Sequence, residues 1–255
     1  MKNRTPFGLI LVLLTGCVTT RGERPTAAVN LGAPRAAVGA VVFCADGAGG
    51  FGGTTDALRE HLGDASAVRV VSFDWSHGRG RMLSDHLHHR NIVEQGERLA
   101  REVRTLKASR PDVPIYLVGH SAGSAVVLIA AESTPPGVIE RVVLLAPSVS
   151  SCYDLRPALS RTRIDAFSSR ADWVILGLNM RLFGTTDRRW TTTAGRVGFE
   201  QVGGEPCDMA LYARLCQHVW DPSHAATGHK GGHYGSFESP NYLRANVLPL
   251  LAPRR

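Results

Sequence analysis

Apolar residues fall along this chain in two rhythms. Short runs rich in valine, isoleucine and leucine occur at Val38–Ala45 (VGAVVFCA), Ala67–Phe73 (AVRVVSF), Ile115–Val118, Arg141–Leu145 and Arg163–Ser168. Runs of that length and composition predict strands buried on both faces. A sixth strand is expected at Leu215–Val219. The second rhythm is helical. Between Asn91 and Lys107, Ile92, Leu99, Val103 and Leu106 recur on one face, and Pro111 and Pro114 bar its continuation. Thr54–Leu62 carries Ala57, Leu58 and Leu62 on one side. Ser121–Glu132 (SAGSAVVLIAAE) is apolar nearly all round, which predicts a buried helix, and Pro135-Pro136-Gly137 ends it. Pro240–Leu250 predicts a closing helix. Strands alternating with helices imply an α/β fold: a single doubly wound, mostly parallel sheet with helices on both faces. No internal repeat interrupts the pattern, and residues 37–255 are expected to form one domain.

The first residues do not share these rhythms. Lys2 and Arg4 precede an apolar stretch from Phe7 to Leu14, too short to span a bilayer. Leu14-Thr15-Gly16-Cys17 follows, and it resembles the lipobox of bacterial lipoproteins. That resemblance implies a signal peptide over residues 1–16 and lipid attachment at Cys17, whose thiol is a soft nucleophile. The alternative is an ordinary cleaved signal with an accidental cysteine. Val18 stands where an aspartate often marks inner-membrane retention in that class, which points toward the outer membrane. Residues 17–36 lack periodicity and are expected to act as a tether.

Composition adds exclusions. The chain is 255 residues long, 44% hydrophobic and 20% charged, the composition of a globular protein. Its formal charge is +7, but the arginines are scattered and no nucleic-acid-binding motif accompanies them. No nucleic-acid partner is expected. Beyond Cys17 the cysteines are Cys44, Cys152, Cys207 and Cys216. None has metal-ligand spacing, so no metal site is assigned. An exported chain permits pairing, and Cys207 with Cys216 is close enough in sequence to staple the late loops.

The chemistry centres on Gly119-His120-Ser121-Ala122-Gly123, between the Ile115 strand and the following apolar helix. This context resembles the nucleophile elbow of the α/β-hydrolase superfamily. A serine on so sharp a turn has strained backbone angles, and side chains two residues to either side would collide, so glycine is required at 119 and 123. The resemblance covers most of residues 38–252 and implies a triad in the chain order Ser, acid, His. For the base, His233 in Gly-Gly-His-Tyr-Gly lies just before the final helix; His229 comes next, and His224 and His218 are weaker. For the acid, Asp172 follows the fifth strand; Asp154 is the alternative that some relatives imply, and Asp165 falls inside its strand. A lone loop histidine is usually only solvated, and an aspartate is often surface charge or a cap.

The resemblance also implies an oxyanion hole built from two backbone amides. Ala122, directly after Ser121, is one. The other comes from Asp46-Gly47-Ala48-Gly49-Gly50-Phe51-Gly52-Gly53, where Ala48 is the first choice and Gly49 the second. Many relatives carry His-Gly where this chain has Asp46-Gly47. The glycine run lacks the Lys-Ser/Thr ending of a phosphate-binding loop. Two further clusters stand out. Asp85-His86-x-His88-His89 invites a metal but reads better as a solvated segment. Trp75-Ser76-His77-Gly78-Arg79-Gly80 follows the second strand and either lines the substrate pocket or forms a rigid aromatic loop.

These residues imply a carboxylesterase- or lipase-like serine hydrolase acting on an ester or thioester through Ser121, Asp172 and His233, with no cofactor. An acyltransferase using the same triad, or a non-catalytic envelope-binding protein on this fold, are the alternatives. The expected partners are a small-molecule or lipid ester and the membrane holding the lipid anchor. Ser148–Thr162 is too short for a large cap, so a small or absent cap is expected, with Leu182–Leu215 forming a wall instead.

Overall fold

The computed structural model describes residues 38–62, 67–179 and 183–252. The expected signal peptide, the tether and Cys17 lie outside the described residues. Six strands form one fully parallel sheet: β1 (Ala40–Ala45), β2 (Val68–Ser72), β3 (Ile115–His120), β4 (Arg141–Leu145), β5 (Arg163–Ser168) and β6 (Leu215–Val219). Their spatial order is β2-β1-β3-β4-β5-β6. Every apolar run named above is a strand of this sheet, within two residues at each end.

Strand alternation divides the core. Val42, Cys44, Tyr116, Val118, Val143 and Leu145 point to one face. There they meet Leu58 of helix α1 (Gly53–Leu62) and Tyr242, Leu243, Val247 and Leu251 of the closing segment. The intervening residues face helices α2 (His89–Ser109) and α3 (Gly123–Glu132). These two helices touch closely. A Cβ on Gly96 of α2 would come within 2.6 Å of Ile129 of α3.

Three expectations need correction. The buried helix begins at Gly123, not Ser121, which leaves Ser121 in the turn. The closing helix is an α turn (Pro240–Tyr242), a π turn (Leu243–Val247) and a 3₁₀ turn (Leu248–Leu251). Pro249, which has no amide hydrogen, accounts for the change of winding at its end. Cys207 and Cys216 are exposed and unbonded, and Cys44 and Cys152 are free as well.

The loops at the carboxyl ends of the strands are built on one another. The chain after β4 runs past Ser121, where the Ser148 amide donates to the Ser121 carbonyl at 3.2 Å. Residues 183–200 dock on that loop. Ser150 gives its amide (2.8 Å) and hydroxyl (2.5 Å) to Asp187, and Ser150 bridges Thr193 in antiparallel sense. A Cβ on Gly195 would lie 2.5 Å from the Ala146 carbonyl carbon. This late segment therefore walls one side of the Ser121 turn.

Candidate active site

Ser121 sits on the turn between β3 and α3 with φ +50°, a left-handed conformation uncommon for a residue with a side chain. Its amide donates to the Leu145 carbonyl at 3.0 Å. The flanking glycines are sterically compelled. A Cβ on Gly123 would stand 2.1 Å from the Ala45 carbonyl oxygen and 2.5 Å from that of Asp46. One on Gly119 would meet Val127 at 2.6 Å and Ser124 at 2.7 Å. β1 therefore passes directly behind the turn, and only bare backbone fits. Among the described residues the Ser121 hydroxyl has no hydrogen-bond partner.

Asp172 follows β5 and is 3% exposed. His233, in the loop after β6, is 6% exposed, and its Nδ1 lies 2.6 Å from Asp172 Oδ2. Several contacts fix this loop. Ser169 Oγ donates to the Gly231 carbonyl at 2.7 Å, and Trp220 Nε1 donates to that of His229 at 2.8 Å. His120 Nε2 lies 3.3 Å from the His233 carbonyl, and the two rings are 4.8 Å apart. Burial, reinforced by His233 nearby, holds His120 well below the ordinary imidazole range. His120 is then neutral, and its Nε2–H donates. Thus the residue preceding Ser121 grips the loop that carries His233. Its position in the middle of the glycine–serine motif was the one available signal for it.

The other sequence candidates are occupied elsewhere. His229 Nδ1 accepts from the Gly231 amide at 3.1 Å, and its ring packs on Tyr242. Burial and then nearby His224 lower its pKa to about 4. His224 accepts from the Asp221 amide. Asp154 pairs with Arg156. Asp165 lies within β5 and binds both Arg141 and His218, the latter at 2.7 Å. Asp165, Cys216 and His218 offer three ligand atoms within 4.8 Å of one another, but both oxygens of that carboxylate already serve Arg141 and His218.

The glycine-rich loop after β1 is braced throughout. Asp46 accepts from the Thr54 (2.8 Å) and Thr55 (3.1 Å) amides, capping α1. Its own carbonyl takes Trp75 Nε1 at 2.8 Å. Gly47 lies against the Ser121 turn, since a Cβ there would be 2.9 Å from His120 and 3.4 Å from the Ser121 Cβ. The Gly49 amide donates to Asp85 Oδ2 at 2.7 Å, which withdraws Gly49 from the choice of oxyanion donors. Among the described residues no acceptor takes the Ala48 or the Ala122 amide. Asp85 and His86 are 0% and 8% exposed, so the segment expected to be solvated is buried at these two residues. They belong to a short helix, α4 (Met82–Leu87), which the sequence pattern does not announce.

Exposed apolar side chains adjoin each of these loops. Phe51 and Met82 both press on Gly49, Trp173 follows Asp172, and Tyr234 follows His233. Trp190, in the wall segment, is 73% exposed.

A family model described as the alpha/beta hydrolase family matches residues 41–253. The chain is 33% identical over 116 residues to the monoglyceride lipase of Mus musculus, across 43% of this chain and 35% of that protein. It is 29% identical over 113 residues to a monoglyceride lipase homolog of Monkeypox virus, across 44% of this chain and 40% of that protein. The matched portion thus spans less than half of either relative. Among solved structures, a poly(3-hydroxybutyrate) depolymerase from Bordetella parapertussis has a TM-score of 0.50 at 14% identity, over 85% of this chain and 87% of that one. That likeness is one of fold.

Proposed function

The chain belongs to the alpha/beta hydrolase family, and from that premise we propose that it is a serine esterase whose nucleophile, base and acid are Ser121, His233 and Asp172. Two observations carry this reading, the strained turn at Ser121 and the buried His233–Asp172 contact, and His120, the residue before Ser121, joins them by its contact with His233.

A serine hydroxyl is a weak nucleophile until a base removes its proton. Asp172 accepts the Nδ1 proton of His233, which leaves the Nε2 lone pair free to take the proton of Ser121. The oxygen of Ser121 attacks the ester carbonyl, and the carbonyl oxygen becomes an oxyanion held by the Ala48 and Ala122 amides. His233 then returns its proton to the leaving alcohol. Water, deprotonated by the same imidazole, releases the acid and restores Ser121. Every proton moves through His233, and no cofactor enters.

The exposed apolar side chains beside each loop favour an ester with an apolar acyl chain, and the similarity to monoglyceride lipases points the same way. The resemblance of Leu14-Thr15-Gly16-Cys17 to a lipobox supports, as part of the same proposal, a location in a bacterial envelope. In this proposal Cys17 carries a lipid, and the catalytic domain faces the periplasm or the cell surface. Cys17→Ser should release the protein from the membrane fraction; unchanged retention contradicts the anchor.

The activity is tested with p-nitrophenyl esters of graded chain length. Turnover that vanishes in Ser121→Ala and rises with chain length is expected. Turnover that survives in Ser121→Ala, or none by the folded wild type, contradicts the proposal.

A further inference from the structure

The two polar clusters that the sequence sets apart, Trp75–Gly80 and Asp85–His89, meet around one buried carboxylate. Asp85 is fully buried. Its Oδ2 accepts from the Gly49 amide at 2.7 Å and from Ser76 Oγ at 2.6 Å. Its Oδ1 accepts from the His77 amide at 2.7 Å and faces His77 Nδ1 at 2.8 Å. His77 Nε2 in turn lies 2.9 Å from His88 Nδ1. Among the described residues no arginine or lysine pairs with Asp85. Burying a carboxylate is costly unless hydrogen bonds compensate it, and here four donors converge on it. One of them comes from the loop that reaches the Ser121 turn.

That one donor has a geometric consequence. A peptide unit is planar, so a fixed Gly49 N–H also fixes the Ala48 carbonyl in the same plane. On the other side of Ala48, Gly47 is wedged against His120 and Ser121. Trp75 Nε1 holds the Asp46 carbonyl at 2.8 Å, which fixes the Asp46–Gly47 peptide unit as well, so the short stretch that presents the Ala48 N–H is tied at both ends. We propose that Asp85 is a positioning residue for oxyanion binding: by tying down the Gly49 amide it aims the Ala48 N–H at the carbonyl oxygen of a substrate on Ser121. This rests on the triad reading above and adds to it the residue that assembles the second half of the oxyanion hole.

Asp85→Asn keeps the shape but turns an amide NH₂ toward donors that need an acceptor. Misaiming one oxyanion donor removes stabilisation that exists only in the transition state. Asp85→Asn should lower kcat roughly tenfold to a hundredfold with KM within about twofold. The inhibition constant of a trifluoromethyl ketone, which forms an oxyanion on Ser121, should rise in parallel. His77→Ala leaves the Gly49 tie in place and should hold kcat within about threefold of wild type. Wild-type kinetics in Asp85→Asn, or an equal loss in His77→Ala, overturns the inference. If Ser121→Ala keeps its turnover, the triad reading itself has failed. A measurement on wild-type protein covers the case in which Asp85→Asn does not fold. Adding the ketone to ¹⁵N-labelled enzyme should move the Ala48 amide proton downfield and leave that of Gly49 in place. Movement of Gly49 instead of Ala48 overturns the inference.

Discussion

Nδ1 of His233 stands 2.6 Å from Oδ2 of Asp172 across 61 residues of chain, with the two side chains only 4% and 3% exposed. Water cannot easily replace either partner there. The contact fixes one imidazole nitrogen as a donor and leaves the other as an acceptor.

Asp172→Asn therefore tests tautomer control. The amide preserves volume but presents an NH₂ or a neutral oxygen to His233, and the proton then settles on the nitrogen that should be the base. We expect kcat for ester hydrolysis to fall by about 10⁴ with little change in the circular dichroism spectrum. A loss under about tenfold would show that Asp172 does not govern the base.

The turn itself is tested by steric contrast. Gly123→Ala puts a methyl 2.1 Å from the Ala45 carbonyl, which is backbone and cannot step aside. Gly137 has positive φ, which Gly123 does not, but open space surrounds its missing Cβ. Gly123→Ala should cost roughly 3 kcal/mol or more, about 6–12 °C in melting temperature, and abolish turnover. Gly137→Ala should cost only about 1 kcal/mol and leave turnover intact. Equal effects would mean that the close approach of β1 to α3 is not what demands glycine.

Much of this was legible in the sequence, and the reasons differ by element. The inner strands β1, β3 and β4 announce themselves because both their faces are covered, so their runs are largely apolar, whereas β6 (Leu215–Val219) at the sheet edge is half exposed and carries Gln217 and His218. Glycine at 119 is a local steric requirement set by Ser124 and Val127, whereas glycine at 123 is demanded by the distant β1 backbone and is read from the motif. Asp172 and His233 could be chosen separately from their places after strands, but only the fold brings them into contact. Asp85 was hidden. Its segment, Asp85–His89, holds four polar residues in five, and its burial depends on hydrogen bonds to Gly49, Ser76 and His77, none of which leaves a periodic trace. The order β2-β1-β3 is equally silent, because crossovers are decided by packing rather than by any local pattern.

Stability should depend on pH through the buried histidines. His229 titrates near pH 4 in the folded chain, and burial also lowers His120 and His86. An unfolded imidazole titrates near ~6.5, so between those values the unfolded state binds the extra proton. The stabilisation from a neutral histidine is therefore complete above ~6.5 and is lost as pH falls toward ~4, by roughly 2–3 kcal/mol for His229 alone. Urea unfolding at about pH 7.5 and about pH 5 should show that fall, and His229→Leu should make it shallower. A variant as steep as wild type would contradict the assignment.

The ion pair under the sheet edge makes a separate prediction. Arg141 contacts Asp165, and His218 binds the same carboxylate. Burial alone would raise the pKa of Asp165, but the hydrogen bonds from His218 and Arg141 outweigh it and the value is lowered. Arg141→Met takes the permanent cation from the buried Asp165 carboxylate and should cost roughly 3–5 kcal/mol, read as a drop in melting temperature. Adding Asp165→Leu should recover most of the loss. Failure of the second change to recover stability would show that the cost lay in packing, not in the buried carboxylate that lost its cation.

The most direct measurement is the intact mass of the folded protein after reaction with a fluorophosphonate, followed by peptide mapping. One adduct is expected, on Ser121, absent from Ser121→Ala and greatly slowed in His233→Ala. An unmodified wild-type protein, or an adduct that persists after Ser121 is replaced, would contradict the proposal.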